Sequence, residues 1–208
     1  MLHERRRDDG KVSSRAACDT ICLMPDFVSR SGQKLDHALN SFGVEVSNWV
    51  CADLGSNAGG FVDCLLQRGA AKVYAVEKGY GVLDWKLRKD PRVMVMERTN
   101  AMHVALPEKV KLVTIDVAWT KQKHILPAAK KLIESNGRII TLIKPHYEAD
   151  AKLLRKGVLP AEQLDAVIEQ VRTDIDACGL EIVHLVQSPI LGGQGNAEML
   201  AELVPKAN

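Results

Sequence analysis

Residues 53 to 60 form a glycine-rich segment, Asp-Leu-Gly-Ser-Asn-Ala-Gly-Gly, between two apolar runs. This pattern predicts a strand that ends in a tight turn and opens a helix. Glycine lets the backbone approach a ligand closely, and the first N–H groups of a helix attract negatively charged groups. Asp53, at the strand end, adds a carboxylate that accepts hydrogen bonds. The segment is therefore a candidate site for a nucleotide-like ligand.

The spacing of these glycines limits the interpretation. It is Gly-x-x-x-Gly-Gly, which matches neither the dinucleotide pattern Gly-x-Gly-x-x-Gly nor the phosphate loop Gly-x-x-x-x-Gly-Lys-Ser/Thr. A turn that only connects a strand to a helix is the alternative for this segment. The polar residues at neighbouring strand ends must decide between the two.

Polar side chains also stand at the ends of other predicted strands. Glu77 follows Asp53 by 24 positions, near where an acid would bind the hydroxyls of a ribose, and Asp116 and Lys144 end two later strands. In a parallel sheet the carboxyl ends of the strands meet at one edge, where the ligand crevice lies. The alternative for each residue is a solvated strand end.

Lys144 ends the apolar run 139–143 and is followed by Pro145. Partial burial lowers the pKa of a lysine and nearby carboxylates raise it, so such a side chain suits proton transfer. A structural salt bridge to Asp116 is the alternative.

The elements that must position these residues follow from the hydrophobic pattern. Beyond residue 48, short apolar runs alternate with helical patterns, which is typical of a parallel sheet covered on both faces. A last strand over 197–204 follows its predecessor too closely for a crossover helix, so it must be antiparallel to its neighbour. The prediction is an α/β protein with a doubly wound, mostly parallel seven-stranded sheet. Its other strands are 49–54, 72–77, 93–97, 110–117, 138–144 and 181–187, and its helices are 59–69, 81–89, 121–134 and 160–178.

Composition bounds the class of protein. The 208 residues are 46% hydrophobic and 26% charged, enough for one globular domain with a sizeable core. No run of about 18 apolar residues is present, so we predict a cytoplasmic protein without membrane spans. Cys18 and Cys22 have no second pair to complete four ligands, and no metal site is predicted. A net charge of +2 permits an anionic partner without requiring one.

Several segments together resemble a known family. In combination they are similar to the FtsJ-type RNA ribose 2′-O-methyltransferases, and most closely to the TlyA or haemolysin-like branch. The segments that carry the general resemblance are 29–36, 53–60, 115–117 and 143–145, and those that carry the closer one are 61–70, 75–81, 97–101, 144–149 and 188–198. They span roughly residues 27 to 204, in order.

The resemblance implies a Rossmann-like class I methyltransferase fold, S-adenosyl-L-methionine as cofactor and a catalytic Lys-Asp-Lys-Glu tetrad. By motif position the tetrad is Lys34, Asp116, Lys144 and Glu198. Lys144 is expected to steer and deprotonate the ribose hydroxyl, while the two acids set its charge and orientation and Lys34 helps to hold substrate or acids. Transfer of an already activated methyl group requires mainly positioning and removal of one proton.

The resemblance also implies the cofactor site. Glu77 is expected to bind the ribose hydroxyls, Asn100 to lie against the adenine edge, and a side chain at Gly59 to fill space that the ligand needs. The full predicted set is Asp53, Gly55, Ser56, Asn57, Gly59, Gly60, Phe61, Glu77, Asn100 and Asp116. Ser-Asn-Ala in the turn and Glu77 in place of an aspartate depart from the family pattern.

The expected partner is RNA, in particular ribosomal RNA or a ribosomal subunit. Basic clusters that could contact RNA are 121–124 and 152–156, and Trp119 and Tyr147 could contact a base. The branch usually carries a small RNA-binding module before the catalytic domain. Only 26 residues precede Phe27, so we expect a polar arm over 1–26 and a methyltransferase domain over 27–208.

Two other functions stay open. A small-molecule methyltransferase would share the cofactor site and would keep its activity without RNA. A non-catalytic RNA-binding or assembly protein would be indicated by missing tetrad residues, whereas all four are present.

Overall fold

The computed structural model describes residues 26–206. The predicted arm, apart from Asp26, and the pair Cys18 and Cys22 lie outside these residues. The strands are β1 Val50–Leu54, β2 Lys72–Val76, β3 Val93–Met96, β4 Val110–Ile115, β5 Ile133–Ile143, β6 Leu180–Gln187 and β7 Met199–Pro205. The helices are α1 Ser31–Phe42, α2 Gly60–Gln67, α3 Trp85–Arg88, α4 Gln122–Leu132, α5 Pro145–Glu148 and α6 Leu164–Ala177.

The seven strands form one sheet in the order β3-β2-β1-β4-β5-β7-β6. Strands β1 to β5 pair in parallel, and β7 lies antiparallel between β5 and β6. The predicted doubly wound sheet with an antiparallel last strand is confirmed. Because the parallel strands all point one way, their carboxyl ends lie along one edge of the sheet.

Apolar side chains cover the sheet on both faces. Helices α1, α2 and α3 pack on one face, where Leu35, Leu39 and Phe61 are almost fully buried. Helices α4 and α6 pack on the other face, where Ile125 and Val171 are buried. Burial of this kind is the main source of stability in a domain of this size. None of the helices within 26–206 combines the length and apolar character needed to cross a membrane.

Helix α1 was absent from the sequence-based prediction. Its apolar residues nevertheless recur at helical spacing, with Leu35, Ala38, Leu39 and Phe42 buried. Gly43 ends the helix in the left-handed conformation, with a φ of 65°. The signal was therefore present in the sequence, but it stood before the region in which strands and helices alternate.

Two other predicted boundaries were wrong. The helix predicted over 81–89 is a single turn, Trp85–Arg88, because the Asp84 side chain accepts from the Lys86 N–H and starts the helix there. Strand β5 begins at Ile133 rather than 138, and a register shift between Val110 and Leu112 accommodates its polar first half.

Polar contacts hold α1 against α2. The Arg68 guanidinium donates to Asp36 Oδ1 from Nη2 at 2.6 Å and from Nε at 2.9 Å. Ahead of α1, the Val28 N–H donates to Asp63 Oδ2 at 2.9 Å. A two-pronged guanidinium contact fixes direction as well as distance. The position of Lys34 on α1 is set by these contacts.

We expect Leu39→Ala to lower the free energy of unfolding by about 2–5 kcal/mol, because it leaves a cavity under α1. Leu39 is fully enclosed, whereas Ser41 in the same helix is exposed. Ser41→Ala is the matched control and should change stability by less than about 0.5 kcal/mol. Urea unfolding of both variants measures the difference. Equal stability of the two variants would show that α1 is not packed on the sheet.

Candidate active site

The turn between β1 and α2 brings backbone close to the end of β4. Gly55 has a φ of +88°, and a Cβ there would lie 2.7 Å from the Asp116 carbonyl oxygen. Only glycine tolerates both conditions. Val76 O accepts the N–H groups of Gly55 and Ser56 at 2.9 and 3.1 Å, so β2 holds the turn in place.

The second half of the turn serves packing. A Cβ on Gly59 would collide with the side chains of Leu83 and Leu87. Loss of ligand binding in a Gly59 variant would therefore also reflect disturbed packing, and the predicted role of Gly59 at the cofactor stays a prediction. Gly60 lies against the hydroxyls of Ser29 and Ser31, and so lets the start of α1 approach α2.

Two adjoining cavities open at the carboxyl ends of the strands. The first measures about 390 Å³ and has Glu77 and Asn100 in its wall. The second measures about 320 Å³ and has Lys34 and Lys144 in its wall. Three predicted residues, Gly55, Asn57 and Asp116, line both cavities, while Asp53, Ser56 and Phe61 line the second. Gly59, Gly60 and Glu198 line neither cavity.

Glu77 is oriented by backbone donors. Its Oε2 accepts the Asn57 N–H at 3.0 Å, and its Oε1 accepts the Gly79 N–H at 2.7 Å. One carboxylate therefore connects the glycine-rich turn to the end of β2. Such a fixed acceptor suits a pair of hydroxyl donors.

The four tetrad residues form two lysine–carboxylate pairs. Lys144 Nζ lies 2.5 Å from Asp116 Oδ1, with side-chain exposures of 15% and 20%. Lys34 Nζ lies 2.5 Å from Glu198 Oε2, with exposures of 7% and 3%. The fold thus brings together residues that are 164 positions apart in the second pair.

Lys144 has a further acceptor, since its Nζ donates to the Val117 carbonyl oxygen at 3.1 Å. The ion pair required by the structural alternative is therefore present. What distinguishes Lys144 from a purely structural lysine is that it also lines the second cavity, together with Lys34 and Asp116. A charged amine at a cavity wall can reach a bound molecule.

Asp53 is a buried carboxyl with one free oxygen. Its Oδ1 accepts the Thr114 hydroxyl at 2.7 Å, and its Oδ2 has no partner among the described residues. Burial, aided by the charges of Asp116 and Glu77 and opposed by the Thr114 hydrogen bond, raises the pKa of Asp53 to about 7. The Ser56 hydroxyl is also buried without a partner there. Unpaired buried polar groups at a cavity wall fit a polar ligand.

A third, more apolar cavity of about 290 Å³ is lined partly by His146 and Tyr147, which follow Lys144 in the chain. Its wall includes Trp119, which is 84% exposed, and Tyr147. The two rings lie 4.7 Å apart, and the His146 ring lies 4.1 Å from Tyr147. Burial lowers the pKa of His146, so its imidazole is neutral near pH 7.

The sequence analysis missed some residues around these cavities. Ser29, Arg30 and Ser31 line the second cavity, and His146 and Asn196 line the third. The position of Ser29 to Ser31 just before Lys34 was the available signal. His146 and Asn196 stood within segments that carry the family resemblance, but only contacts between distant loops bring them to one cavity. Within residues 26–206, no cluster of three or more His, Cys, Asp or Glu side chains could hold a metal ion.

Asp53→Asn tests the state of the buried carboxyl. The folded carboxyl keeps its proton up to about pH 7, while an unfolded aspartate ionises near its ordinary value of 3.8. The free energy of unfolding therefore falls as the pH rises from about 4 to 7, by about 1.4 kcal/mol per pH unit. We expect urea unfolding to show a larger loss between pH 5 and pH 8 for the parent than for the asparagine variant. Parallel losses would contradict a raised pKa.

Comparison with known proteins agrees with this geometry. Residues 27–203 match the model of FtsJ-like methyltransferases. The chain is 40% identical over 183 residues to the Bacillus subtilis protein YqxC, named as an rRNA methyltransferase, covering 85% of this chain and 65% of that protein. It is 38% identical over 177 residues to the Mycobacterium tuberculosis 16S/23S rRNA (cytidine-2′-O)-methyltransferase TlyA, covering 83% and 66%.

A solved structure from Streptococcus thermophilus, named as a hemolysin, superposes with a TM-score of 0.84 at 35% identity, covering 89% of this chain and 70% of that one. The chain spans about two thirds of the length of the B. subtilis and M. tuberculosis relatives. The match to the family model nevertheless covers nearly all the described residues. The chain belongs to the family of FtsJ-like methyltransferases.

Proposed function

We propose that this chain is an S-adenosyl-L-methionine-dependent methyltransferase that methylates ribose 2′-hydroxyls of ribosomal RNA. The observation that carries the proposal is the Lys144–Asp116 pair in the wall of a cavity that adjoins the Glu77 cavity. Relatives named for rRNA methylation support RNA as the substrate. The catalytic domain proposed is 27–208, with 1–26 as a polar arm.

The cofactor fits the residues present. The Glu77 carboxylate would accept the ribose hydroxyls and Asn100 would lie at the adenine, since both line the first cavity. Asp53 Oδ2 and the Ser56 hydroxyl are free to meet the polar methionine end. When bound, the cofactor supplies a methyl group already activated on a sulfonium. The remaining chemistry falls to the protein's own residues.

Those residues position the hydroxyl and remove its proton. Once it has released its own proton, the Lys144 amine would take the 2′-hydroxyl proton while that oxygen bonds to the methyl carbon, and the sulfur–methyl bond would break to leave a neutral thioether. Asp116 Oδ1 and the Val117 carbonyl oxygen orient Nζ and stabilise the ammonium that results. The buried Lys34–Glu198 pair fixes Lys34 in the wall of the same cavity as Lys144. General-base help of this kind contributes about 10²–10⁴-fold to the rate.

The surface beside the crevice suits RNA. Lys123, His124, Lys152 and Lys156 are exposed, and phosphate contacts by such residues supply most of the affinity for nucleic acids. Two members of the predicted basic clusters are engaged elsewhere, since Lys121 Nζ donates to a carbonyl and Arg155 pairs with an acid. The tilted ring pair of Trp119 and Tyr147 would contact an unstacked base.

One experiment tests the substrate. Purified protein and methyl-labelled cofactor are incubated with ribosomal subunits, free ribosomal RNA and transfer RNA, and the modified nucleotide is mapped by its resistance to alkaline cleavage. We expect label at a 2′-oxygen of ribosomal RNA. If all three RNAs stay unlabelled while the cofactor binds, RNA is the wrong substrate and small-molecule methylation replaces it.

We expect the cofactor to bind without RNA, and Glu77→Ala to weaken binding at least about tenfold, because two hydroxyls lose a charged acceptor. Glu108→Ala is the matched control, since Glu108 lies ahead of β4 at the opposite end of the sheet and accepts from Lys72 and Tyr74. Calorimetry measures both affinities. Unchanged affinity in a folded Glu77→Ala protein would contradict the proposed cofactor site.

Lys144→Met separates chemistry from binding. The substitution keeps most of the aliphatic stem but removes the ammonium, so cofactor affinity should survive while methyl transfer falls by at least ~10²-fold. Glu198→Gln should lose less. Lys131→Met, on an exposed position of α4, is the control. Should Lys144→Met methylate RNA at the parent rate, Lys144 is only a structural partner of Asp116.

A further inference from the structure

Glu148, at the end of α5, connects two loops that flank the crevice. Its Oε1 accepts the backbone N–H of Gln122 at 2.8 Å. Its backbone carbonyl oxygen accepts from Lys121 Nζ at 2.6 Å. Glu148, which follows β5, thus contacts both Lys121 and Gln122, which follow β4 and lie 27 and 26 positions earlier in the chain.

The carboxylate acts as the missing cap of α4. Gln122 is the first residue of that helix, and its flanking residue Lys121 makes no side-chain cap. The first N–H groups of a helix have no partner within it and attract negative charge. Gln122 is itself buried, and its side-chain Oε1 accepts the Thr141 hydroxyl at 2.9 Å. Glu148 therefore meets a helix start that is already anchored to β5.

The segment 117–121, between β4 and the start of α4, contacts both Lys144 and Tyr147. The Val117 carbonyl oxygen accepts from Lys144 Nζ at 3.1 Å. Trp119, with a φ of +59°, packs its ring against that of Tyr147, the residue before Glu148. One end of the segment is fixed by Asp116, whose N–H donates to Leu54 O at 3.0 Å, and the other by Glu148. A segment of five residues held at both ends has little freedom to move.

The Glu148 carboxyl is also largely shielded from water, so the loss of its hydrogen bond would not be compensated by solvent. Burial raises the pKa of its carboxyl, and the Gln122 N–H and the charge of Lys121 oppose that effect. Removal of the carboxylate would leave a helix N–H without a partner, next to the loop that orients Lys144. The mechanism proposed above makes no use of Glu148, which contacts neither Lys144 Nζ nor Asp116 Oδ1.

We propose that Glu148 is a positioning residue that holds the segment 117–121 against α5. It thereby keeps the Lys144 amine and the Trp119–Tyr147 ring pair in the geometry that methyl transfer requires. The inference rests on the proposed function and extends it. A displacement of the order of 1 Å in a reacting group costs about 10²-fold in rate. Glu148 would then affect kcat far more than the KM for RNA.

Three variants of the full chain test this role. Glu148→Ala removes the cap, Glu148→Gln keeps an amide oxygen that can accept the Gln122 N–H, and Glu108→Ala removes a carboxylate with two partners away from the crevice. Each is assayed for kcat and KM at a temperature where circular dichroism shows it folded. Hydrogen exchange, read by mass spectrometry, follows the peptide 117–122.

We expect Glu148→Ala to lose about 10- to 100-fold in kcat with little change in KM, and to exchange faster in 117–122. Glu148→Gln should recover most of the rate and the protection, and Glu108→Ala should match the parent. Parent-like kcat or unchanged exchange in Glu148→Ala overturns the proposal, as does a Gln variant as slow as the Ala variant. If the parent itself methylates no RNA, the proposed function fails, whereas the exchange measurement still decides whether Glu148 holds the segment.

Discussion

The buried ion pair between Lys34 and Glu198 constrains the rest of the structure. Both side chains are almost fully enclosed, so each charge depends on the other for compensation. Their pairing requires α1 to lie on the sheet and β7 to enter between β5 and β6. The Arg68 contacts to α1 and the antiparallel direction of β7 can be understood as the conditions under which these charges meet.

The Lys144–Asp116 pair differs from the buried pair in its exposure to water. Lys144 and Asp116 remain partly exposed, so water shares in their solvation and the pair can exchange partners with a bound molecule. Three carboxyls, Asp53, Glu77 and Asp116, converge at the same strand ends. They need not all be charged, because the deeply buried Asp53 keeps its proton up to about pH 7. The crevice therefore combines one neutral acid, one oriented acid and one acid paired with an amine.

The loops after β4 and β5 complete the site, and they are not independent of each other. The Trp119 and Tyr147 rings connect the two loops, and the hydrogen bond from the Gln122 N–H to Glu148 connects them a second time. Loops that carry functional residues are usually mobile, and contacts of this kind restrict that mobility where geometry matters. Trp119, an exposed residue in a left-handed conformation, lies in the loop between Asp116 and this hydrogen bond.

Much of this protein followed from local sequence pattern. Alternating strands and helices, the glycine-rich turn after Asp53 and the polar strand ends were readable, because side-chain periodicity and turn chemistry depend on neighbours in the chain. The motif resemblance then identified Lys34 and Glu198, which no local pattern would have joined. Helix α1, absent from the prediction, has an apolar stripe of the same local kind.

Only the tertiary structure decided which of these residues touch. It paired Lys34 with Glu198 across 164 positions and packed the side chains of Leu83 and Leu87 against Gly59. It also revealed His146 in the apolar cavity and Glu148 as the cap of α4. The chemistry of each side chain is a property of the sequence. Burial, pKa and partnership depend on which distant segments pack together, and those long-range contacts are determined by the whole core rather than by any local stretch.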